Sequence, residues 1–491
     1  MAKQDVSKKK LLSENEELRH ENAELKSKNN ELIRLIQGVK SERFVSSDPL
    51  KEDLLFPASE PQPIEEEKPK KKSKKAPKHK RQQIPGHIPR QERILEPEVD
   101  TSEMTKIGDV ITEQYGIDIK LYVDRIIRPK YVDANSTIYI APYDCLFAKS
   151  NIGESLASHV VVSKYIDHLP LYRQSKMYAR ENVNLSRSTL LDSVKRVANQ
   201  LKPLYEVAAK KVLTADYLMA DESSIPVLTQ DNPGAARKGQ MLVKVNPENG
   251  LVVFDYIKTK EKINILEGLR GFKGYLQTDG NVSYDTKGAE KDVTHLNCLV
   301  HARRKFDAAL DYDKKRAGHA LEIIQQIYML ERQMKHAHLD HNQIRETRQE
   351  KTKPLLDQLH NWLLEQYRPD LTSNPFNGAV KYILKRWSKL IEFLNNGKLY
   401  PDTNLLERQI RPLALGRNNY LFAASHLGAE MAAMFYSFFA TCQLNNIKPR
   451  EWLSDVLNRI SEHKVTQLSD LLPLSNYKYL NHKSEELLAS S

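Results

Sequence analysis

The chain is poor in cysteine, with three in 491 residues, Cys145, Cys298 and Cys442, spread far apart. That scarcity excludes a disulfide framework and a four-thiolate zinc knuckle, and it suits a reducing compartment. Long apolar runs are missing as well. No stretch of eighteen apolar residues offers a membrane span, and the basic opening MAKQDVSKKK leads into LLSENEELRHENAELK, which has no apolar signal core. There is no G-x-x-x-x-G-K-S/T loop and no strand-linked G-x-G-x-x-G, so neither nucleotide hydrolysis nor a dinucleotide cofactor is supported. Acidic charge is in deficit: 64 Asp and Glu against 75 Lys and Arg leave a formal net charge of +11. The excess suits a polyanionic partner, although an ordinary basic soluble protein carries it equally well.

Leucine recurs every seven residues at Leu11, Leu18, Leu25 and Leu32, a coiled-coil seam at d whose a positions are Asn15, Asn22, Asn29 and Ile36. Buried Asn at a selects register at a cost in stability, so residues 1–45 read as a weak zipper or as a solvated single helix. Residues 46–95 form a linker with eight prolines between Pro49 and Pro89. Nine of the fourteen residues from Lys68 to Arg81 are Lys or Arg. Such a run cannot collapse by itself. It either neutralises phosphates by counterion release or only solubilises the chain.

The mixed Val, Ile, Tyr and Thr of ITEQYGIDIKLYVDRIIRPKYVDANSTIYIAP predict short strands within 96–148. Residues 149–212 read as helices. A polar break, ENVNLS, separates two apolar-periodic stretches, and Ser186 or Ser188 caps the second. With Arg187, Lys195 and Arg196 on that second helix, the pair fits a DNA-binding helix-turn-helix or ordinary helix pairing.

From 213 to 310 the rhythm becomes α/β. LTADYLMADES reads as a strand ending in acids, and GQMLVKVNPENGLVVFDYIKT as two strands about a turn at Pro247–Gly250. KINILEGLRGF is helical, GYLQTDG is a strand ending in an acid, and THLNCLV runs into the helix HARRKFDAAL. Three antiparallel strands followed by parallel strand–helix units is the order of a ribonuclease-H-like core. Residues 311–398 are a helical insertion, in which Trp362 and Trp387 read as core. Residues 399–462 complete the catalytic core with further helices, and 463–491 read as a frayed tail.

Carboxylates gathered at the ends of adjacent strands cost energy unless a cation compensates them. Asp221 and Asp279 each end an apolar strand before a polar turn, which suits divalent metal binding, though strand-end aspartates also cap turns. Alternation turns Glu222 the other way, and Asp216 reads as structural or exposed. Glu407 lies in DTNLLERQIRP among Arg408, Arg411 and Arg417. It is either a salt-bridged surface acid or a metal ligand whose arginine neighbours hold phosphates. Cys298 and His301 are too few for zinc. The basic helix start His301, Arg303, Arg304 and Lys305 suits phosphate contact or a solvated face.

These segments resemble the large transposase of the insertion sequence 66 family, a DDE transposase. The family's first aspartate motif matches Ala220-Asp221-Glu222-Ser223, its second matches Leu276-Gln277-Thr278-Asp279-Gly280, and its third acid motif matches Asp402 through Arg408. Arg411 to Ser425, Cys298 to Phe306 and Leu169 to Gln174 match further motifs. The chain departs from the pattern at Ser223, Asn281, Leu299 and Thr403, none of which removes an acid. It also has no cysteine between 90 and 143, where the family carries a zinc-binding segment, so no zinc is expected.

The resemblance implies that Asp221, Asp279 and Glu407 hold magnesium, with manganese an admissible substitute, for cleavage of element ends and transfer of the freed 3′-hydroxyl into target DNA. Asp402 and Asn404 would support the start of the Glu407 helix. It further implies double-stranded DNA as partner, a homodimer or larger DNA-bound assembly, small accessory proteins of the same element, and a cytoplasmic, nucleoid-associated location without membrane. A catalytically inactive DNA-binding relative and a ribonuclease-H-like nuclease without strand joining are the alternatives.

Overall fold

The computed structural model of the chain describes residues 121–123, 125, 127, 129–132, 138–140, 152–228, 236–371 and 374–479. The zipper, the basic linker and most of the expected β-rich segment lie outside these residues. Two three-residue strands, β1 (Lys130–Val132) and β2 (Ile138–Ile140), fall where short strands were expected.

Residues 152–212 fold as α1 (Glu154–Tyr165), α2 (Leu171–Arg180) and α3 (Arg187–Val212). Ser186 is the cap of α3, its hydroxyl accepting from the Thr189 amide at 3.1 Å. Leu190, Val194, Val197, Leu201 and Leu204 recur at three- and four-residue spacing and are all fully buried, which ties α3 to the main core.

A five-stranded mixed sheet forms the centre. Its strands are β3 (Tyr217–Leu228), β4 (Ala236–Asn246), β5 (Leu251–Ile257), β6 (Gly274–Thr278) and β7 (Val293–Asn297), in the order β5-β4-β3-β6-β7. β3, β4 and β5 run antiparallel, whereas β6 and β7 join β3 in parallel. The turn between β4 and β5 falls at Pro247–Gly250, and Gly250 supplies the positive φ (69°) that closes it. The parallel crossover from β5 carries α4 (Lys262–Gly268), and that from β6 carries α5 (Asp285–Gly288).

β3 departs from expectation. It does not stop at its acids but runs seven residues beyond Asp221, to Leu228. The reason is that Ile225 and Val227 bury completely while β4 stays paired with β3 from Met219 to Leu228. Parallel pairing with β6 covers only Tyr217 to Met219. Beyond that point β3 and β6 part.

After β7 the chain is helical: α6 (Leu299–Ala309), α7 (Lys314–His336), α8 (His341–Thr347), α9 (Lys353–Gln366), α10 (Pro375–Lys385) and α11 (Trp387–Ile391). Trp362 and Trp387 are partly buried against the core, as expected, with edges and faces toward His319, Phe376 and His360. α12 (Asn404–Tyr420), α13 (His426–Leu444) and α14 (Pro449–Arg459) follow. Every residue of α13 from Met431 to Cys442 is buried, the mark of a helix enclosed on all sides. It covers the sheet edge at β5: Ser437 accepts from the Phe254 amide at 2.8 Å and Thr441 from the Val252 amide at 3.0 Å. Two amides of the edge strand thus find partners on a helix, which removes a template for further strand pairing.

The packed chain continues past residue 462. Leu468, Leu471, Leu472 and Leu474 are buried, and the indole of the fully buried Trp452 donates to the Leu471 carbonyl at 3.0 Å. Burial of these leucines outweighs the polar composition that suggested fraying. Among the described residues no helix is long and apolar enough to cross a membrane.

Candidate active site

Where β3 and β6 part, two aspartates come together. Asp221 stands two residues beyond the last parallel pair on β3, opposite Val243 of β4. Asp279 follows the last residue of β6 and begins a sharp turn. Its Oδ1 accepts from the Asn281 amide at 2.8 Å, and Gly280 takes φ 88°. Two side chains of the helical region hold this turn from outside. Tyr382 donates to the Asp279 carbonyl at 2.8 Å, and Arg386 donates to the Gly280 carbonyl at 2.9 Å. A Cβ on Gly280 would lie 2.7 Å from Arg386 Nε, so the close approach needs glycine as much as the dihedral does.

Glu407 arrives from the other end of the chain, in the first turn of α12. Its approach is built from buried polar contacts. Asp402 accepts from the Asn404 amide at 2.9 Å and from the Asn404 side chain at 3.0 Å, as expected of residues that support this helix start. The Thr403 amide donates to the buried Cys298 Sγ at 3.3 Å, and the Leu299 amide donates to the Pro401 carbonyl at 3.0 Å. Cys298 is therefore core, and its thiol seats the loop that leads to Glu407 against the end of β7.

A closed ring of hydrogen bonds ties the three acid-bearing segments to one another. Tyr217 of β3 donates to Gln277 of β6, and Gln277 Nε2 donates to the Tyr400 carbonyl at 2.9 Å. The Tyr400 amide then returns to the Tyr217 hydroxyl at 3.2 Å. Tyr217 and Gln277 are fully buried.

The electrostatics at the parting of the strands are those of crowded anions. The Asp221 carboxyl is pushed up from 3.8 to about 7, first by burial and next by the neighbouring Asp279 charge, with smaller contributions from Glu222 and Glu407 and against a backbone hydrogen bond from Glu222. Glu222 itself is raised by burial, opposed by the Tyr284 hydroxyl and by Lys260, whose Nζ is 3.7 Å away. His301 is pushed down by burial and is held neutral, accepting from Arg304 Nη1 at 3.3 Å. Arg304 Nη2 donates to Glu407 Oε2, while Glu407 Oε1 is buried without a hydrogen-bond partner and lies 3.8 Å from His301 Nε2.

The raised Asp221 has a measurable consequence. The folded chain keeps this proton to a higher pH than the unfolded chain, so the group stabilises fully below about 4 and the benefit is lost as pH rises to about 7. Chelator-treated protein should lose about 1.4 kcal/mol of unfolding free energy per pH unit across that window from this group. Urea titrations at several pH values check it, with Asp221→Asn expected to flatten the slope. An unchanged slope in that variant removes Asp221 as its source.

The donor set suits a hard divalent cation. Three carboxylates carry like charge into a half-buried site, and one oxygen of Glu407 waits unpartnered. Even so, among the described residues no three His, Cys, Asp or Glu side chains close a metal site as they stand. Glu407 is engaged by Arg304 instead.

The other basic residues singled out in the sequence separate into groups. Arg408 and Arg411 are exposed on α12, and Lys305 is exposed with its ammonium 5.8 Å from the Tyr382 ring centre. Arg303 is partly buried on the side facing Tyr328. Arg417 does not face solvent freely: it donates to the Ser224 carbonyl and, at 3.1 Å, to the Ser224 hydroxyl, bracing α12 on β3. Arg187 and Arg196 are exposed on α3, where Lys195 pairs with Asp192 at 3.5 Å. Asp216 is exposed, and its carbonyl accepts from the Tyr275 amide at 2.8 Å. Tyr382, Arg386, Tyr284 and the pairing of Arg304 with Glu407 were not anticipated. Each joins residues far apart in the chain, and no local spacing announces such a contact.

Comparison with known proteins gives this architecture a family. The sequence model of the Transposase IS66 family matches residues 149–431, and that of the IS66 C-terminal element matches 437–474. The chain is 32% identical over 419 residues to the Uncharacterized protein y4hP of Sinorhizobium fredii (strain NBRC 101917 / NGR234), covering 79% of this chain and 75% of the relative. It is 30% identical over 476 residues to the Uncharacterized protein y4jD of the same organism, covering 90% of this chain and 92% of that relative. The first match spans the sheet, both aspartates and Glu407, and the second the buried C-terminal leucines, so the chain belongs to the IS66 family of transposases.

Proposed function

We propose that this transposase cuts and joins DNA with divalent metal held by Asp221, Asp279 and Glu407. The observation that carries the reading is the convergence of these three acids, from three distant segments, on one crowded half-buried spot. The strand order β5-β4-β3-β6-β7, three antiparallel and two parallel, supports a ribonuclease-H-like core. When bound, magnesium or manganese would polarise the scissile phosphate and lower the barrier to attack by water or by a 3′-hydroxyl.

The chain's own residues do the rest. Tyr382 and Arg386 fix the Asp279 turn, Asp402 and Asn404 fix the start of the Glu407 helix, and burial keeps bulk water from competing for the carboxylates. Exposed Arg408 and Arg411 on the Glu407 helix, and exposed Lys305, would take DNA phosphates, as would Arg187 and Arg196 on a helix-turn-helix-like α2–α3 pair. Double-stranded element ends and target are the substrates. Because two ends must be handled together, the working form is a dimer or larger assembly, to which the heptad pattern of 1–45 would contribute.

The test is joining of a labelled duplex bearing the element's end into plasmid, with the element's accessory proteins supplied. Product should form with magnesium and disappear with chelator. Wild-type protein that loads metal and retains the duplex without cutting or joining it would instead be an inactive DNA-binding relative. Cutting without joining would make it a nuclease.

A further inference from the structure

One contact in the site has no use in the chemistry proposed above. Arg304 spans His301 and Glu407: Nη1 reaches the imidazole at 3.3 Å and Nη2 reaches Glu407 Oε2. The Glu407 side chain is 14% exposed and that of Arg304 33%, so the acid is the more enclosed partner. A carboxylate this enclosed is costly without a counter-charge. The opposite oxygen of Glu407 makes no hydrogen bond, and among the described residues no closed metal site exists while this pairing stands.

We propose that Arg304 stands in for the cation: its guanidinium neutralises Glu407 in the metal-free protein and must leave that oxygen before metal can take it. The inference rests on the metal reading of the three acids and adds a competitor to it. Two positive charges cannot share Glu407 at contact distance without strong repulsion. Metal affinity is therefore held down by the ion pair. Arg304 is a positioning residue of this site, holding the Glu407 rotamer and the charge balance before loading. His301, accepting from the same guanidinium, keeps its fork aimed at Glu407.

The experiment measures Mn2+ alone, without DNA, binding to full-length protein at fixed pH by loss of the free-ion electron paramagnetic resonance signal. Wild type, Arg304→Ala, Arg304→Lys, Glu407→Gln and the Arg304→Ala/Glu407→Gln pair are compared. Arg304→Ala should bind Mn2+ about tenfold more tightly than wild type, the scale of one charge-assisted hydrogen bond. Arg304→Lys should fall between them, since an ammonium keeps the charge but loses the planar fork. In the Glu407→Gln background the gain from Arg304→Ala should vanish, because no carboxylate remains to be freed. Thermal melts followed by circular dichroism establish that each protein is folded, and Arg304→Lys carries the comparison if Arg304→Ala is not. Equal or weaker Mn2+ binding in the folded Arg304 variants overturns the inference while leaving the metal reading intact. No Mn2+ binding by any of the proteins overturns the metal reading, and the inference with it.

Discussion

Asp279→Ala should abolish joining of labelled ends, by at least about a thousandfold, while the protein stays folded and keeps its hold on DNA. A ligand that helps stabilise developing charge on phosphate is worth several kcal/mol in the transition state, and each 1.36 kcal/mol is tenfold in rate. Folding should not suffer. Asp279 is one of the charges that raise Asp221, so its removal relieves repulsion in the metal-free site. Its side chain accepts from the Asn281 amide, an Asx contact that Asp279→Asn retains. The two variants together separate charge from turn geometry, since both should be inactive and only the alanine should loosen the turn. Gel retention, thermal midpoint and joined product are the readouts. Wild-type joining by either variant would remove Asp279 from the chemistry.

The largest effect on stability is expected at Arg348. This residue sits in a short π-helical stretch, Arg348–Thr352, and its side chain is 3% exposed. It holds both oxygens of Glu331 at 2.8 and 2.7 Å and donates to the carbonyls of Phe393 and Asn396 at 2.9 and 3.1 Å. Four acceptors thus depend on one guanidinium, whose planar fork matches the carboxylate. Arg348→Ala leaves the partly buried Glu331 without its counter-charge and two carbonyls without their donor, and should cost about 3 kcal/mol. Arg348→Met with Glu331→Met, which removes both charges and keeps the volume, should recover much of that loss. Urea unfolding measures it. A loss below about 1 kcal/mol in Arg348→Ala would place this pair among ordinary surface contacts. Asn396 leads into Tyr400 and so to the Glu407 helix, so the same variant should also blunt joining.

Much of this molecule is written in local pattern. The hairpin about Pro247–Gly250, the cap at Ser186 and the passage from β7 into α6 each follow from periodicity and turn residues within a dozen positions. Asp279 was recognisable as an acid at the end of an apolar strand, and Asp221 as an acid on one, though β3 continues past it. The extent of β3 was not, because Ile225 and Val227 extend it only through pairing with β4. The burial of Leu468 to Leu474 depends on Trp452, and Arg417 finds its carbonyl on β3. Glu407 among arginines suggested Arg408, Arg411 and Arg417 as its company, yet the guanidinium that reaches it is Arg304, from a helix more than a hundred residues earlier. Contacts of that range leave no period in the sequence. They arise from how the layers pack.

The ring through Tyr217, Gln277 and Tyr400 has a consequence for the element that carries this gene. The acids are held in place by the side chains of Tyr217 and Gln277 and by the Tyr400 backbone, two to seven residues away, rather than by bonds to one another. A copy that loses a carboxylate by mutation therefore keeps its frame and stays a folded protein. On the proposed function such a copy still occupies element ends and still assembles with intact subunits. Dead copies would then act as dominant inhibitors, and a genome that accumulates them would quiet the element through its own decayed relatives.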